Sequence, residues 1–169
     1  EISCSLVGSE MCIRDSSNLV SMRETEGSNI YGDFIKRADL IAEKLAVIEE
    51  RSPQVVEEYQ TRLSDRINEL LAKHNQVIEP ERLLQEVAIF ADRTSITEEI
   101  VRLKSHIKQF RLIIDADQPV GRKLDFLIQE FNREANTIAS KANDYTLAQV
   151  VVEIKAEIEK IREQIQNIE

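Results

Sequence analysis

The sequence predicts an all-α protein, an elongated antiparallel bundle of long helices. The chain has 169 residues with only 4 Gly, 3 Pro and no Trp, so residues that break helices or form turns are rare. Apolar residues recur at three- and four-residue spacing along most of its length, which is the period of an amphipathic helix. A chain of this length can bury a sizeable core. It contains no run of 18 apolar residues, so no membrane-spanning helix is expected.

The charge of the chain is unevenly distributed. The formal net charge is −9, which argues against a generally basic surface for nucleic acid. Residues 93–145 differ from the rest, because their 9 bases and 8 acids give a net charge of +1. Any surface that binds a polyanion is therefore expected to lie within this middle span.

The first sixteen residues, EISCSLVGSEMCIRDS, differ from the rest of the chain. They contain both cysteines and show no helical period, and their apolar run is too short for a signal peptide. The segment resembles the translated sequencing-adapter tails that recur at the ends of metagenomic protein predictions. We therefore expect residues 1–16 to be a non-native, disordered tail with no disulfide and no metal site. The remaining chain has no cysteine, which fits a cytoplasmic protein.

Two helices are expected before residue 80. The first is predicted over residues 17–50, where apolar residues repeat at helical spacing. Ser52 followed by Pro53 has the pattern of an N-cap with proline at the first helical position. A second helix is therefore predicted over residues 53–73. Together the two helices would form a long hairpin over residues 17–80.

Two further helices are expected between residues 80 and 114. The segment HNQVIEP, residues 74–80, is predicted to be a loop, and Pro80 is expected to open a short helix that ends near Phe90. Ser95 and Glu98 have the S-x-x-E spacing of a capping box, which predicts that the next helix begins there.

The last predicted helix carries an apolar heptad pattern, and Asn143-Asp144 is expected to cap its start. Isoleucine at nearly every position of the seam disfavours a simple two-stranded coiled coil. Two interpretations have equal weight: the seam packs against the first long helix of the same chain, or it joins copies of the chain in an oligomer. The seam residues are Leu147, Val151, Ile154, Ile158, Ile161, Ile165 and Ile168.

The most informative segment is the helix predicted within GRKLDFLIQEFNREANTIASKAND, residues 121–144. Its apolar residues form one stripe at about 100° per residue, and polar side chains fill the two flanks of the stripe. Asparagine is a poor helix former because its side chain competes for backbone hydrogen bonds, so two of them in mid-helix suggest groups kept for binding. The alternative is a solvated face with incidental Asn. One flank comprises Asp125, Gln129, Asn132 and Asn136, and the other comprises Lys123, Glu130, Glu134, Thr137 and Lys141.

A metal site is the sharper of two hypotheses for the carboxylate flank. Glu130 and Glu134 are like charges four residues apart, which is unfavourable unless a cation lies between them. A divalent ion held by these carboxylates and by His106 of the preceding helix is one possibility, and this ligand set suits Mg²⁺ or Mn²⁺. In the other hypothesis His106 is a structural residue, and the cation is a side chain of this same helix. The side chains that could supply it are Lys123, Arg133 and Lys141.

Five stretches of the chain resemble one protein family. They are MRETEG (22–27), RLLQEVAIFADR (82–93), ITEEIVRLKSHIKQF (96–110), the 121–144 segment and VVEIKAEIEKIREQIQNIE (151–169). The resemblance is to the YicC-like endoribonucleases of bacteria and covers residues 17–169. It implies that residues 81–169 form the C-terminal helical endoribonuclease domain and residues 17–80 the end of the family's N-terminal region. Family members usually have a further, partly β region before the MR-x-x-EG motif, so the chain is expected to be the C-terminal part of a larger protein.

The resemblance also implies an activity. It leads us to expect an enzyme that cleaves RNA internally, depends on Mn²⁺ or Mg²⁺, and acts in RNA turnover in the bacterial cytoplasm. It further implies a homo-oligomer, with a hexamer as the expected form. The main rival interpretation is a non-catalytic RNA-binding adaptor that delivers RNA to another nuclease. A third interpretation is a helical scaffold with no role in nucleic-acid binding.

The family signature falls on the same polar residues that the helical wheel separates from the apolar stripe. We predict that His106, Glu130 and Glu134 bind the metal or act as acid–base groups, with Glu99 orienting His106. These four residues are the candidate catalytic set. The residues expected to bind RNA are Arg102, Arg122, Lys123, Gln129, Asn132, Arg133, Asn136 and Lys141.

Overall fold

The structure is a computed structural model that describes residues 2–72, 80–116 and 118–166. Side chains are described from Ser16 onward, except at positions 17, 70 and 80. Every regular element in these ranges is an α-helix, so the all-α prediction is confirmed. The helices are α1 (Ile2–Ala72), α2 (Pro80–Thr94), α3 (Thr97–Ile114), α4 (Gly121–Lys141) and α5 (Tyr145–Ile165).

The chain divides into two compact units, and the division falls within α1. The first unit, Glu1–Lys36, contains the beginning of α1. The second unit, Arg37–Glu169, contains the rest of α1 and the other four helices. The boundary predicted from the sequence is at residue 80. All the candidate site residues belong to the second unit.

Helix α1 continues through Pro53, so the predicted helix break at Ser52-Pro53 and the hairpin over residues 17–80 are wrong. Proline inside a helix costs about 3 kcal/mol, because it lacks an N–H and clashes with the preceding turn. The apolar stripe explains why the helix continues nevertheless. Ile48 and Val55 lie two turns apart on either side of the proline, and both are buried. A break at residue 52 would turn one of them away from the core.

The N-terminal segment is also helical, from Ile2 onward. The expectation that residues 1–16 are disordered is therefore wrong for residues 2–16. Once a helix has nucleated, each residue added to its end gains one backbone hydrogen bond, and no proline occurs before Pro53 to stop this growth. That the segment is non-native stays a prediction, and the side chains of Cys4 and Cys12 lie outside the described residues.

Helix α5 lies antiparallel to α1. Arg37 of α1 donates a hydrogen bond to Glu157 at 2.7 Å, and Arg51 donates one to Asp144 at 2.9 Å. The residue numbers rise along α1 while they fall along α5, which sets the antiparallel direction. Since these side chains are only partly exposed, the ion pairs lie at the border of the buried apolar surface.

Helix α3 is antiparallel to α1 by the same reasoning. Lys104 donates to Glu49 at 2.6 Å, and Arg111 donates to Asp39 at 2.5 Å. Helix α4 packs between α3 and α5. These four helices of the second unit form the antiparallel bundle that the sequence predicted. Their fully buried side chains include Ile41, Leu45 and Ile48 of α1, Leu103 and Phe110 of α3, Leu124, Ile128, Phe131 and Ile138 of α4, and Ile158 and Ile161 of α5.

The heptad seam of α5 is buried inside the chain. Leu147, Val151, Ile154, Ile158, Ile161 and Ile165 are all buried, so the described part of the seam packs within the chain, while Ile168 lies outside the described residues. Its neighbours there are α4, which packs on α5, and α1, which forms ion pairs with it. The predicted cap is confirmed: the side chain of Asp144 accepts a hydrogen bond from the Leu147 N–H at 2.9 Å.

Helix α2 begins at Pro80 as predicted, but it ends at Thr94 rather than near Phe90. The Phe90 ring stacks on Tyr59 of α1 with ring centroids 3.7 Å apart, which holds α2 against α1. The predicted loop at residues 74–80 lies almost entirely outside the described residues. None of the described helices has an apolar stretch long enough to span a membrane.

The predicted capping box is wrong. Helix α3 begins at Thr97 with Ile96 at the N-cap, and no side chain caps it. Ile96 is 1% exposed, so burial of an apolar residue decides where this helix starts. Glu98 pairs with Arg102 one turn further along α3 instead.

Replacing Pro53 tests the continuity of α1. Pro53→Ala restores a backbone N–H and removes the clash at an exposed position, so the free energy of unfolding should rise by about 1–3 kcal/mol. Urea denaturation followed by circular dichroism at 222 nm measures this. Gln60→Ala, an exposed change in the same helix, should change stability by less than about 0.5 kcal/mol. A Pro53→Ala chain that is no more stable than wild type would contradict an uninterrupted α1.

Candidate metal and RNA site

The candidate site lies along the contact between α3 and α4. The two helices are antiparallel, since Glu99 near the start of α3 meets Lys141 at the end of α4. Polar residues that border the apolar stripe of α3 therefore face those that border the stripe of α4. On α3 these residues are Glu99, Arg102 and His106, and on α4 they are Glu130, Glu134 and Lys141.

His106, Glu130 and Glu134 converge as predicted. One ligand atom from each, an imidazole nitrogen or a carboxylate oxygen, lies within 4.8 Å of the other two. Glu134 is 3% exposed, while His106 and Glu130 are half-buried. Two ligand atoms on one divalent ion are at most about 4.4 Å apart, twice a bond of about 2.2 Å. Small side-chain rotations would bring all three to one ion.

The His106 imidazole is held by aromatic packing. Its ring lies 6.2 Å from the Phe131 ring, centroid to centroid, and Phe131 in turn contacts Phe110 at 6.0 Å. The buried Nδ1 atom of His106 has no hydrogen-bond partner among the described residues. A buried polar atom without a partner is costly, and a metal ion is one partner that would satisfy it.

Arginine side chains stand close to both carboxylates. Arg102 Nη1 lies 3.6 Å from Glu134 Oε1, and Arg133 Nη1 lies 3.6 Å from Glu130 Oε2. Both N–O distances exceed that of a normal hydrogen bond. Each arginine is therefore within ion-pair distance of its carboxylate without donating a hydrogen bond to it. Arg102 also pairs with Glu98. The two carboxylates and the imidazole thus fit a divalent cation by their chemistry, beside two cations that could contact a phosphate.

Glu99 does not orient His106, so that part of the prediction is wrong. Glu99 Oε1 accepts a hydrogen bond from Lys141 Nζ at 2.7 Å, and its buried Oε2 has no partner among the described residues. The reason is geometric: seven residues of helix separate the two α3 positions by about 10.5 Å along the axis. The Glu99 side chain reaches the adjacent end of α4 instead.

The flank of α4 that carries the amide side chains of Gln129, Asn132 and Asn136 faces the other neighbour, α5. Its three amide side chains line an open groove of about 630 Å³ together with Arg133 and Thr137 of α4 and with two α5 residues that were not predicted from the sequence, Glu159 and Arg162. These two form an ion pair at 3.4 Å. The only sequence signal for them is their i, i+3 spacing on the polar face of α5. The predicted RNA-binding residues in the groove are Gln129, Asn132, Arg133 and Asn136.

Two further predicted RNA-binding residues, Arg122 and Lys123, lie at the start of α4. Both are exposed, and neither forms an ion pair with any residue in the described ranges. Lys141, by contrast, is engaged with Glu99. Of the predicted basic RNA-binding residues, Arg122 and Lys123 are therefore the two without an ion pair in the described part of the chain, since Arg102, Arg133 and Lys141 each have one.

Comparison with known proteins assigns the family. The model of the family described as "Endoribonuclease YicC-like, C-terminal" matches residues 48–169. The chain belongs to the YicC-like family. Every candidate site residue lies inside the matched part, which confirms the resemblance seen in the sequence.

Two relatives of the YicC-like family, each named "Probable endoribonuclease YicC", are similar to the chain. The relative from Clostridioides difficile is 54% identical over 151 residues, covering 89% of the chain and 51% of the relative. The relative from Haemophilus influenzae is 37% identical over 153 residues, covering 90% of the chain and 52% of the relative. The chain thus spans about half the length of the curated relatives it matches.

The Glu99–Lys141 ion pair lies at one end of the contact between α3 and α4. Burial by itself would raise the pKa of Glu99, but the hydrogen bond from Lys141, the Glu99 backbone N–H and the nearby positive charges outweigh it. The pKa of Glu99 is therefore lower than its ordinary value of about 4.5. A lowered folded-state pKa stabilises the fold above about pH 4.5, and this contribution is lost as the pH falls through the folded-state value.

Removing the cation tests this pair. Lys141→Met leaves a buried carboxylate without its partner, so the free energy of unfolding at pH 7 should fall by about 2–4 kcal/mol. Without the ammonium group burial raises the Glu99 pKa, so the deficit should shrink as the pH falls below about 4.5. Urea unfolding between pH 3 and pH 8 measures both effects.

The matched control for this change is Lys108→Met, at an exposed lysine of α3. It should leave stability within about 0.5 kcal/mol of wild type across the same pH range. A Lys141→Met chain as stable as this control at pH 7 would show that the ion pair does not stabilise the fold.

Proposed function

We propose that the chain is the catalytic part of an endoribonuclease that hydrolyses RNA phosphodiester bonds with the help of a divalent metal ion. The observation that carries the proposal is the convergence of His106, Glu130 and Glu134 between α3 and α4. The names of the two relatives support RNA as the substrate. The uneven charge agrees, because these residues lie in the span whose net charge is +1.

His106, Glu130 and Glu134 would hold the ion, either Mn²⁺ or Mg²⁺. When bound, it supplies Lewis-acid polarisation of a phosphate oxygen and a water of lowered pKa. Burial of Glu134 keeps its carboxylate in a fixed position. The aromatic contact of His106 with Phe131 fixes the plane of the imidazole in the same way.

The basic side chains around the cluster have different roles. Arg102, 3.6 Å from Glu134, is placed to contact the scissile phosphate and stabilise the charge that develops on it. Arg122 and Lys123 contact the flanking phosphates. Lys141 acts through Glu99 rather than on RNA directly, so we reassign it as a residue that fixes the register of α3 against α4.

The groove between α4 and α5 would contact sugar or base edges. The side chains of Gln129, Asn132 and Asn136 each offer both a donor and an acceptor, which suits the exposed edges of unpaired bases. The groove lies on the α5 side of α4, while the carboxylate cluster lies on the α3 side. One RNA strand contacting both would have to pass over the outward face of α4.

The whole protein is proposed to act as a cytoplasmic homo-oligomer, a hexamer, in bacterial RNA turnover. The chain covers only half of each relative, so activity is best measured in this chain and in a full-length relative side by side. The alternative of a non-catalytic RNA-binding adaptor predicts binding without cleavage in both proteins.

Changes at the cluster test the catalytic proposal. Glu134→Gln and His106→Ala should each lower the rate of cleavage of a labelled single-stranded RNA by about 100-fold or more, because each removes a ligand or an acid–base group. Titration calorimetry should show weaker binding of Mn²⁺ to both variants, and EDTA should abolish cleavage by the wild type. Corresponding changes in the full-length relative should have the same effect.

Glu86→Gln, at an exposed glutamate of α2, and His74→Ala, at the only other histidine, are the matched controls. Both should keep wild-type cleavage and metal binding, and circular dichroism should show the same helical content in all variants. RNA binding without cleavage in the full-length relative would favour the adaptor. Equal cleavage by Glu134→Gln and wild type would rule out the proposed metal site.

A further inference from the structure

One aromatic side chain of α4 is exposed to solvent. Phe126 is 65% exposed, whereas Phe131 on the same helix is fully buried. A phenylalanine on the surface loses the benefit of burying its large apolar ring. An isolated exposed apolar residue needs no explanation by itself, so the surroundings of Phe126 decide its meaning.

Phe126 lies between the two polar flanks of α4. Residues three and four apart on a helix are neighbours, about 5–6 Å apart at their Cβ atoms. By this spacing Phe126 adjoins Arg122 and Lys123 on one side and Gln129 and Glu130 on the other. Three of these four side chains are exposed, and Glu130 belongs to the carboxylate cluster. The ring is thus one helical turn from the candidate metal site.

We propose that Phe126 is a stacking platform for an unpaired base of single-stranded RNA. The inference rests on the proposed function only in taking RNA as the ligand. A flat aromatic face next to side chains that contact phosphates is the arrangement by which proteins bind single strands. Arg122 and Lys123 supply positive charge that no described residue neutralises, and the ring between them and Glu130 supplies the stacking surface.

A second copy of the chain is a poorer occupant of this surface. Phe and Arg are enriched in protein–protein interfaces, but the centres of those interfaces are depleted of Lys and Glu. Phe126 adjoins one residue of each depleted type, Lys123 and Glu130.

The position of Phe126 also gives the stacked base a role. It lies on the outward face of α4, across which a strand must pass to reach both the cluster and the α5 groove. Stacking there would hold one nucleotide beside the scissile phosphate and select strands whose bases are free. Bases of a duplex are already stacked and paired, so they cannot use this platform.

Tryptophan substitution gives a direct test, because the chain contains no Trp. F126W places the only indole of the protein at the proposed platform. A 12-nucleotide oligoadenylate added in EDTA, which stops metal-dependent cleavage, should quench its fluorescence with the same midpoint as the binding curve. A 12-base-pair RNA duplex should leave the fluorescence unchanged. Unchanged fluorescence at oligoadenylate concentrations that saturate binding would overturn the proposal.

Two further variants separate stacking from apolar contact. Phe126→Ala should weaken binding of a fluorescein-labelled 12-nucleotide oligoadenylate by about 10- to 100-fold. Phe126→Leu, which keeps an apolar side chain but has no ring, should weaken it nearly as much, while F126W should bind at least as tightly as wild type. The dependence of log affinity on log salt should keep its slope in Phe126→Ala and become shallower in Arg122→Gln. Full binding by Phe126→Leu would overturn stacking.

The same variants distinguish the possible failures. Light scattering that shows Phe126→Ala to dissociate an oligomer, with unchanged RNA affinity, would assign the surface to a second copy and overturn the proposal. If the wild type binds RNA without cleaving it, and Phe126→Ala loses that binding, the proposed nuclease activity is wrong and the proposed stacking platform stands. Absence of RNA binding by the wild type would overturn both.

Discussion

The structure depends on the burial of α4 between α3 and α5. A helix packed on two sides needs a wide apolar stripe, and on α4 the stripe includes Leu124, Ile128 and Phe131, all fully buried. Polar residues can then occupy only the two borders of the stripe and the narrow outward face. This constraint puts the carboxylates beside α3 and the amides beside α5. The packing of α4 therefore determines which polar side chains face which neighbouring helix.

The cluster of His106, Glu130 and Glu134 could be predicted from the sequence because its placement follows from helix periodicity. Residues that border the apolar stripes of antiparallel neighbours face one another, whichever side chains they are. The partner of Glu99 could not be predicted in this way. It depends on the register of α3 against α4 and on how far the long side chain of Lys141 reaches, neither of which a single-helix wheel contains.

Local signals failed where tertiary burial outweighed them. Ser52-Pro53 and the Ser95/Glu98 pair both have the pattern of a helix start, yet the first lies inside α1 and the second caps nothing. In each case buried apolar side chains set the helix boundaries: Ile48 and Val55 around the proline, and Ile96 before α3. Phe126 was missed for the opposite reason, since an apolar residue outside the stripe has no place in an amphipathic pattern.

Asp144 serves two helices at once. Oδ1 accepts the Leu147 N–H that begins α5, and Oδ2 accepts a hydrogen bond from Arg51 of α1. The Arg51 hydrogen bond is the main reason that the pKa of Asp144 lies below its ordinary 3.8, with the Leu147 N–H adding to it against the opposing effect of burial. One proton bound here would weaken a helix cap and remove the negative charge of an interhelical ion pair together. In strong acid the corner between α4 and α5 should therefore lose its polar contribution to stability, while the apolar stripes beneath it carry no group that titrates.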